Sequence, residues 1–340
     1  MLPFTSCFYN RNGFRNHLTH LVRHATLVSL QDTGRSNTTA YNLHELTGVI
    51  PPMITPFADD DSIDRVQLRQ EALFLKACGV DGIVVAGSTG EGAGMSPAEI
   101  AEIVECVIES VEGSLPVIAG VIADDSREAV RLGEAARKAG AIGLQVPPPH
   151  FHFSTDPRVL ASYYRAITEG TGLPLIIYNV IPWAQLAIES LREITSENRA
   201  IAGIKQSGRN IHALADLLAN LKGEVKIYSA IDDMIYPSFM LGVDGTISGT
   251  CSVFPKETIE IVNAVRSGNY PLALKLHERI VPVWRLVDCP DFPARIKYVM
   301  AVTGRSVGRP RRPLDWPNTI DAARIRHTLK VEGFLKEARA

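Results

Sequence analysis

The chain has 340 residues, a formal net charge of −2, 46% apolar residues and 21% charged residues. That balance belongs to a soluble globular chain and gives no electrostatic case for nucleic acid or an anionic membrane as partner. No apolar run reaches the roughly 18 residues of a membrane span; the five cysteines (Cys7, Cys78, Cys106, Cys251 and Cys289) lie far apart, as small core residues of a reducing compartment do.

The first stretch, to about residue 40, carries Arg11, Arg15, Arg23 and Arg35 against a single acid, Asp32, with no periodic apolar face. Residues 1–44 therefore read as an extension, either disordered or a targeting segment. The expected location is the cytoplasm, or the mitochondrion if this segment is a transit peptide.

From residue 48 onward, short β-branched runs alternate with helical patterns. Candidate strands fall at 48–54, 82–87, 116–121, 143–146, 174–179, 201–206, 225–229 and 245–249. Between the first two, a helix starts near Asp64, turns Leu68, Ala72 and Leu75 inward and stops at Gly79. The next starts at Ser96, with Pro97 in the first turn, Glu99 closing a capping box, and an apolar stripe of Ile100, Ile103, Val104, Val107 and Ile108. Repeated strand–helix alternation implies parallel strands joined by right-handed crossovers. Continuous apolar runs such as Leu175-Ile176-Ile177 are those of strands buried on both faces. Eight such units predict an α/β fold, a (β/α)8 TIM barrel over residues 45–265, with further helices over 266–340. From residue 255 onward the chain reads as helical, one helix completing the barrel. Gly87-Ser88-Thr89-Gly90-Glu91-Gly92 lacks the spacing of a dinucleotide fingerprint, and no phosphate-binding loop motif occurs.

Barrel enzymes place their chemistry at the C-terminal ends of strands. Those ends hold Gly87 to Glu91, Tyr178, Lys205, Asp232 and Asp233, and Ser248. Lys205 ends the apolar run Ile201-Ala202-Gly203-Ile204, and alternation puts it on the face of Ile201 and Gly203. Burying a lysine favours the free amine that attacks a carbonyl; the alternative is a strand-end side chain reaching to water. Tyr178 offers a phenol for proton transfer, or a core tyrosine with its hydroxyl satisfied. The glycine-rich turn at 87–91 supplies hydroxyls and backbone N–H groups suited to a carboxylate, or is a plain βα turn. Asp232 and Asp233 cap a helix by default. The histidines form no ligand-spaced cluster, which disfavours a metal-dependent aldolase.

Ile54-Thr55-Pro56-Phe57, Gly87-Ser88-Thr89-Gly90-Glu91, Tyr178-Asn179-Val180, Gly203-Ile204-Lys205 and Gly242-Val243-Asp244-Gly245-Thr246-Ile247-Ser248 occur in the order and spacing of one family. Over residues 48–313 the chain resembles the dihydrodipicolinate synthase / N-acetylneuraminate lyase family. The resemblance implies that Lys205 forms a Schiff base with a 2-keto acid, that Tyr178 shuttles protons, and that Ser88 is a relay hydroxyl. It further implies substrate contacts from Thr89, Gly87, Thr55, Asp232, Ile247 and Ser248, no metal or organic cofactor, and a homo-oligomer, dimer or tetramer. Two departures bear on the substrate. The synthases carry an arginine shortly after the Tyr-Asn turn, whereas here the chain runs Val180-Ile181-Pro182-Trp183-Ala184-Gln185. They also carry a tyrosine pair after the fourth strand, where this chain has His150-Phe151-His152-Phe153; a histidine in that place would carry protons instead. The expectation is a Schiff-base-dependent aldolase or lyase acting on a pyruvate-type or 3-deoxy-2-keto sugar acid. The alternatives are 4-hydroxy-tetrahydrodipicolinate synthase and a barrel that binds a keto acid without turning it over.

Overall fold

A computed structural model describes residues 41–151 and 156–335. The expectations for residues 1–40, Cys7 and His152 lie outside the described residues. Eight parallel strands, β1 (Gly48–Val49), β2 (Ile83–Val85), β3 (Val117–Gly120), β4 (Gly143–Val146), β5 (Leu175–Asn179), β6 (Ile201–Gln206), β7 (Lys226–Ser229) and β8 (Gly245–Thr246), pair in the order 1-8-7-6-5-4-3-2. The ring closes between the first two, where Met53 N–H donates to Val84 O (2.8 Å) and Val84 N–H to Pro51 O (3.0 Å). β1 is shorter than the expected 48–54 because Pro51 and Pro52 have no N–H to offer a ladder. β2 stops short of Gly87 because Ala86 turns into the left-handed region at φ 53°.

Helices α1 (Arg65–Cys78), α2 (Pro97–Ser110), α3 (Ser126–Lys138), α4 (Pro157–Thr171), α5 (Ile188–Glu197), α6 (Ile211–Leu221) and α7 (Ile235–Leu241) follow the first seven strands in turn. Each of the first two begins and ends as its local chemistry dictates. The Asp64 side chain accepts from Val66 and Gln67 N–H, and Gly79 ends α1 in the left-handed region. Ser96 and Glu99 form a reciprocal capping box on α2. After β8 come a short α8 (Gly249–Val253), then α9 (Pro255–Arg266), which packs on β1, α1 and α7 and so completes the outer ring. Helices α10 (Tyr270–Val287), α11 (Phe292–Val302) and α12 (Thr319–Val331) form the C-terminal part. No helix among the described residues is long and apolar enough to cross a membrane.

Two apolar clusters hold the architecture. The larger packs the helices against the outer faces of the strands. The smaller fills the barrel interior with Ile50, Val84, Ile118, Ile176, Ala202, Tyr228 and Ile247. Leu43 joins it from below, buried where β4 begins at Gly143; the packed chain thus starts inside the segment expected to be an extension. The interior is solid beneath the site, as in other barrels of this kind.

Buried ion pairs tie the C-terminal part to the barrel. Glu71 of α1 pairs with Arg305, whose guanidinium also donates to Ser252 O (2.5 Å) and Val253 O (3.1 Å) in α8. Both partners are buried, and desolvation raises the Glu71 carboxyl above its ordinary range against the pull of the guanidinium. Removing one member leaves the other charge without compensation. Arg305→Ala is therefore expected to lower stability by about 3–5 kcal/mol in urea denaturation, and Glu71→Leu with Arg305→Met to recover most of that loss. An unchanged denaturation midpoint in Arg305→Ala would show that the pair carries no such role.

Candidate active site

The strand register assembles the centre of the site. β5 and β6 pair so that Tyr178 lies directly beside Lys205, and the Lys205 amine sits 3.7 Å from the centre of the phenol ring. Both side chains are buried, Lys205 at 4% and Tyr178 at 7% exposure. Among the described residues no hydrogen bond or ion pair engages Lys205 Nζ or Tyr178 Oη. A largely buried amine with only an aromatic face against it is costly in a purely structural role. The neighbouring Asn179 and Gln206 point the other way along their strands. Asn179 accepts from Leu186 N–H (2.8 Å) and donates to Gln206 Oε1 (2.9 Å), which fixes the loop after β5 against β6.

A cavity of roughly 200 Å³ opens above Lys205. Of the residues singled out in the sequence, Thr89, Tyr178, Lys205, Asp232, Ile247 and Ser248 line it together. Ser88 lines a second cavity, with Glu91 and His150, on the far side of Tyr178, whose ring forms a wall of both. Consecutive residues of a tight turn point apart, so Ser88 and Thr89 face different spaces. Thr55 and Gly87 line neither cavity. Thr55 is packed behind the turn, 3.2 Å from where a side chain on Gly90 would begin, and Gly87 O accepts from Gly90 and Gly92 N–H at 3.0 Å. Both belong to the packing and backbone hydrogen bonding of the turn.

That turn is strained and firmly held. Ala86 and Glu91 both adopt positive φ, 53° and 60°, a conformation costing about 1 kcal/mol or more for a residue other than glycine. Gly92 has no substitute, because a Cβ there would lie 1.8 Å from Ala86 O. Among the described residues the backbone N–H groups of Ser88 and Thr89 donate to nothing, which leaves two donors at the turn. Glu91 anchors the end of the turn. Its carboxylate pairs with Lys297 of α11 at 2.5 Å and accepts from Arg311 N–H at 2.8 Å. Lys297 is fully buried, and desolvation brings its ammonium down to about 8 while Glu91 opposes the shift.

Asp232 follows β7 and accepts from Thr250 N–H (2.8 Å) and Thr250 Oγ1 (3.1 Å), a capping role at the start of α8. Desolvation pushes its carboxyl up to about 7, with the Thr250 bonds and the Lys205 amine acting against the shift. The residue keeps part of its surface open toward the cavity, a sheltered opening rather than bulk water. Asp233 pairs with Arg285 at 2.9 Å. Ser248 Oγ lies 3.0 Å from Cys251 Sγ and accepts from Thr246 Oγ1 (3.2 Å), so its hydroxyl belongs to a small network at the cavity edge.

Several lining residues were not singled out from the sequence: Arg209 in the loop after β6, Trp284 of α10, Asp288 just beyond it, and Phe292 of α11. The last three lie outside the strand ends, and no local pattern links them to the site. Among the described residues no group of three potential metal ligands occurs.

Comparison with known proteins gives a consistent result. The chain is 33% identical over 270 residues to a 4-hydroxy-tetrahydrodipicolinate synthase of Methanococcoides burtonii, covering 78% of this chain and 91% of the relative. It is 34% identical over 264 residues to the enzyme of that name from Caldicellulosiruptor saccharolyticus, covering 77% and 88%. Among solved structures, it is similar to a dihydrodipicolinate synthase from Thermotoga maritima, with TM-score 0.80 and 25% identity over 86% of this chain and 100% of that one. It is likewise similar to an N-acetylneuraminate lyase from Fusobacterium nucleatum, with TM-score 0.76 and 25% identity over 86% and 99%. A profile described as the Dihydrodipicolinate synthetase family matches residues 45–331, and the chain belongs to that family.

Proposed function

We propose that the protein is a lyase of the class I aldolase type, acting on a 2-oxo acid through a Schiff base on Lys205. The observation that carries the reading is the buried amine of Lys205, over the ring of Tyr178 in register with it and with no hydrogen bond or ion pair among the described residues. In its free-base form the amine attacks C2 of the substrate; water leaves, and the resulting iminium withdraws electrons from C3. A carbanion at C3 is then stabilised, whether it arises by loss of a proton or by cleavage of the C3–C4 bond. Tyr178 gives and takes the protons of these steps, and Ser88, across the phenol ring, receives them from the second cavity. The free N–H groups of the 88–89 turn, with the Thr89 hydroxyl, bind the C1 carboxylate. Asp232 and Ser248 lie where the part of the substrate beyond C3 would extend, and Ile247 walls that side.

The substrate class that fits best is a pyruvate-type or 3-deoxy-2-oxo sugar acid, with carboxylates at the cavity available to accept from hydroxyls. The second reading is the synthase activity for which the relatives at 33–34% identity are named. Against it stands the loop after β5, residues 180–187, which contains no cation. The same family likeness supports a homo-oligomer in the cytoplasm.

Incubation with pyruvate followed by borohydride reduction is expected to leave the reduced adduct on Lys205, read by peptide mass. Lys205→Ala loses both adduct and turnover with its fold intact, and retained turnover would refute the assignment. Tyr178→Phe separates the two roles. It should still trap the imine, while turnover falls by about 10²–10⁴-fold, the usual worth of a positioned proton carrier; full turnover in this variant would remove the phenol from the mechanism.

The state of Asp232 is open to a stability measurement. Unfolded, this group ionises around 3.8; folded, it does so at about 7. Between those values the native state holds the extra proton, so the group's stabilising contribution is complete at low pH and is lost as pH rises through 7. Asp232→Asn can accept both Thr250 bonds and has nothing to titrate. Its melting temperature should gain on that of the unsubstituted protein between about pH 4 and about pH 7, and a constant difference across that range would mean the carboxyl is not raised.

A further inference from the structure

Two cations line the cavity above the reacting amine, Lys205 at its base and Arg209 in the loop after β6. The proposed chemistry uses the first and leaves the second without a role. Arg209 follows Gly208, and both are in the left-handed region, at φ 57° and 96°. Gly208 suits that backbone, since side chains rarely tolerate its φ, and the Gln185 amide packs against it. Arg209 is not a residue that favours this conformation, so the loop holds an arginine at the cavity lining at some strain. Its Nη2 reaches Asp288 Oδ2 at 2.6 Å. Among the described residues Nε and Nη1 have no partner, which leaves one edge of the planar fork open. The arginine side chain is 72% exposed and that of Asp288 34%. An ion pair so open to water is weak, and another carboxylate can replace Asp288 in it.

From this geometry we infer that Arg209 is a specificity-determining residue that binds a second carboxylate at the far end of the substrate, displacing Asp288. The substrate class is then a 2-oxo diacid, with one carboxylate at the turn of Ser88 and Thr89 and the other at the guanidinium. Asp232 and Asp233 line the same cavity, where they can accept from hydroxyls along the chain. A guanidinium suits this task better than an ammonium because its donors match both oxygens of a carboxylate. The inference rests on the Schiff-base reading and narrows it.

The test uses the full chain and matched probes that differ only in the terminal carboxylate: 2-oxoadipate against 2-oxohexanoate, and 2-oxoglutarate against 2-oxopentanoate. For each, the concentration giving half-maximal borohydride-trapped adduct is measured, with pyruvate as reference. At least one diacid should trap at a lower concentration than its partner. In Arg209→Ala that preference should shrink by about tenfold, in Arg209→Lys by less, and in Asp288→Asn it should grow. A merely structural arginine would shift diacid and monoacid alike. If pyruvate forms an adduct but the preference is absent, or is the same in Arg209→Ala, the arginine assignment is overturned while the imine reading stands. If pyruvate forms no adduct, both fall.

Discussion

Hydrogen bonds between two parallel strands govern the positions of Lys205 and Tyr178. β5 and β6 pair residue for residue from Ile176 and Gly203 to Asn179 and Gln206, with the one irregularity placed earlier, at Leu175 and Ile176. Because side chains alternate along a strand, a slip of one residue in β6 would turn Lys205 out of the barrel and Gln206 in. Two features resist such a slip. Asn179 and Gln206 are joined across the strands by their own side chains, and Ile176, one layer below Tyr178, is locked into the interior cluster. A lysine in such a place exposes little of its charge to water, and the surrounding packing must offset that cost. The packing of the barrel thus holds this one amine in the wall of the cavity.

The C-terminal helices belong to the same device. Glu91 occupies a strained backbone position at the end of the turn that presents Ser88 and Thr89. Lys297 and the segment around Arg311 hold it there from outside the strand ends. Arg311 reaches further, to Asp61 O at 2.7 Å and Glu99 at 2.5 Å, so one arginine braces the loops after β1 and β2 together. Strain persists only when the surroundings over-determine it, and here the surroundings are largely C-terminal. The same region supplies Trp284, Asp288 and Phe292 to the cavity wall. Barrel and helical part therefore line one cavity, despite reading in the sequence as a barrel with further helices.

That division marks what the sequence could convey. Strand positions came from runs of apolar residues, and helix ends from Asp64, Gly79, Ser96 and Glu99, all local signals confirmed by local geometry. Lys205 and Tyr178 stood out because a polar group ending an apolar strand is rare, and the closure of eight strands brings such ends together. Distances across the ring are not written locally. Nothing near residue 297 reveals that its ammonium meets Glu91, and nothing near 284 or 288 reveals a cavity. The turn at 87–91 was legible as a unit but not in its division of labour. Which hydroxyl faces Lys205, and which faces the cavity beyond Tyr178, depends on two positive φ angles that sequence alone does not give. The raised carboxyl of Asp232 was equally hidden, since it follows from the desolvation of a whole opening.

The distribution of these groups explains how one scaffold can serve the different reactions named for its relatives. The proposed imine formation draws on the amine, the phenol and a place for a carboxylate, on β5, β6 and the turn after β2. Recognition of the rest of the substrate falls to the loops after β5, β6 and β7 and to the C-terminal helices, which can change without disturbing the strand register. In this chain the loop after β5 packs an uncharged Gln185 against Gly208, and the positive charge appears one loop further on, at Arg209. Charge moved from one loop to the next keeps a cation over the opening but changes its distance and direction from the imine carbon. A substrate arm is gripped only if its length and polarity match that new position. The chemistry can therefore be common to the family while the accepted partner is particular to the chain, and the difference lies in residues that no strand pattern constrains.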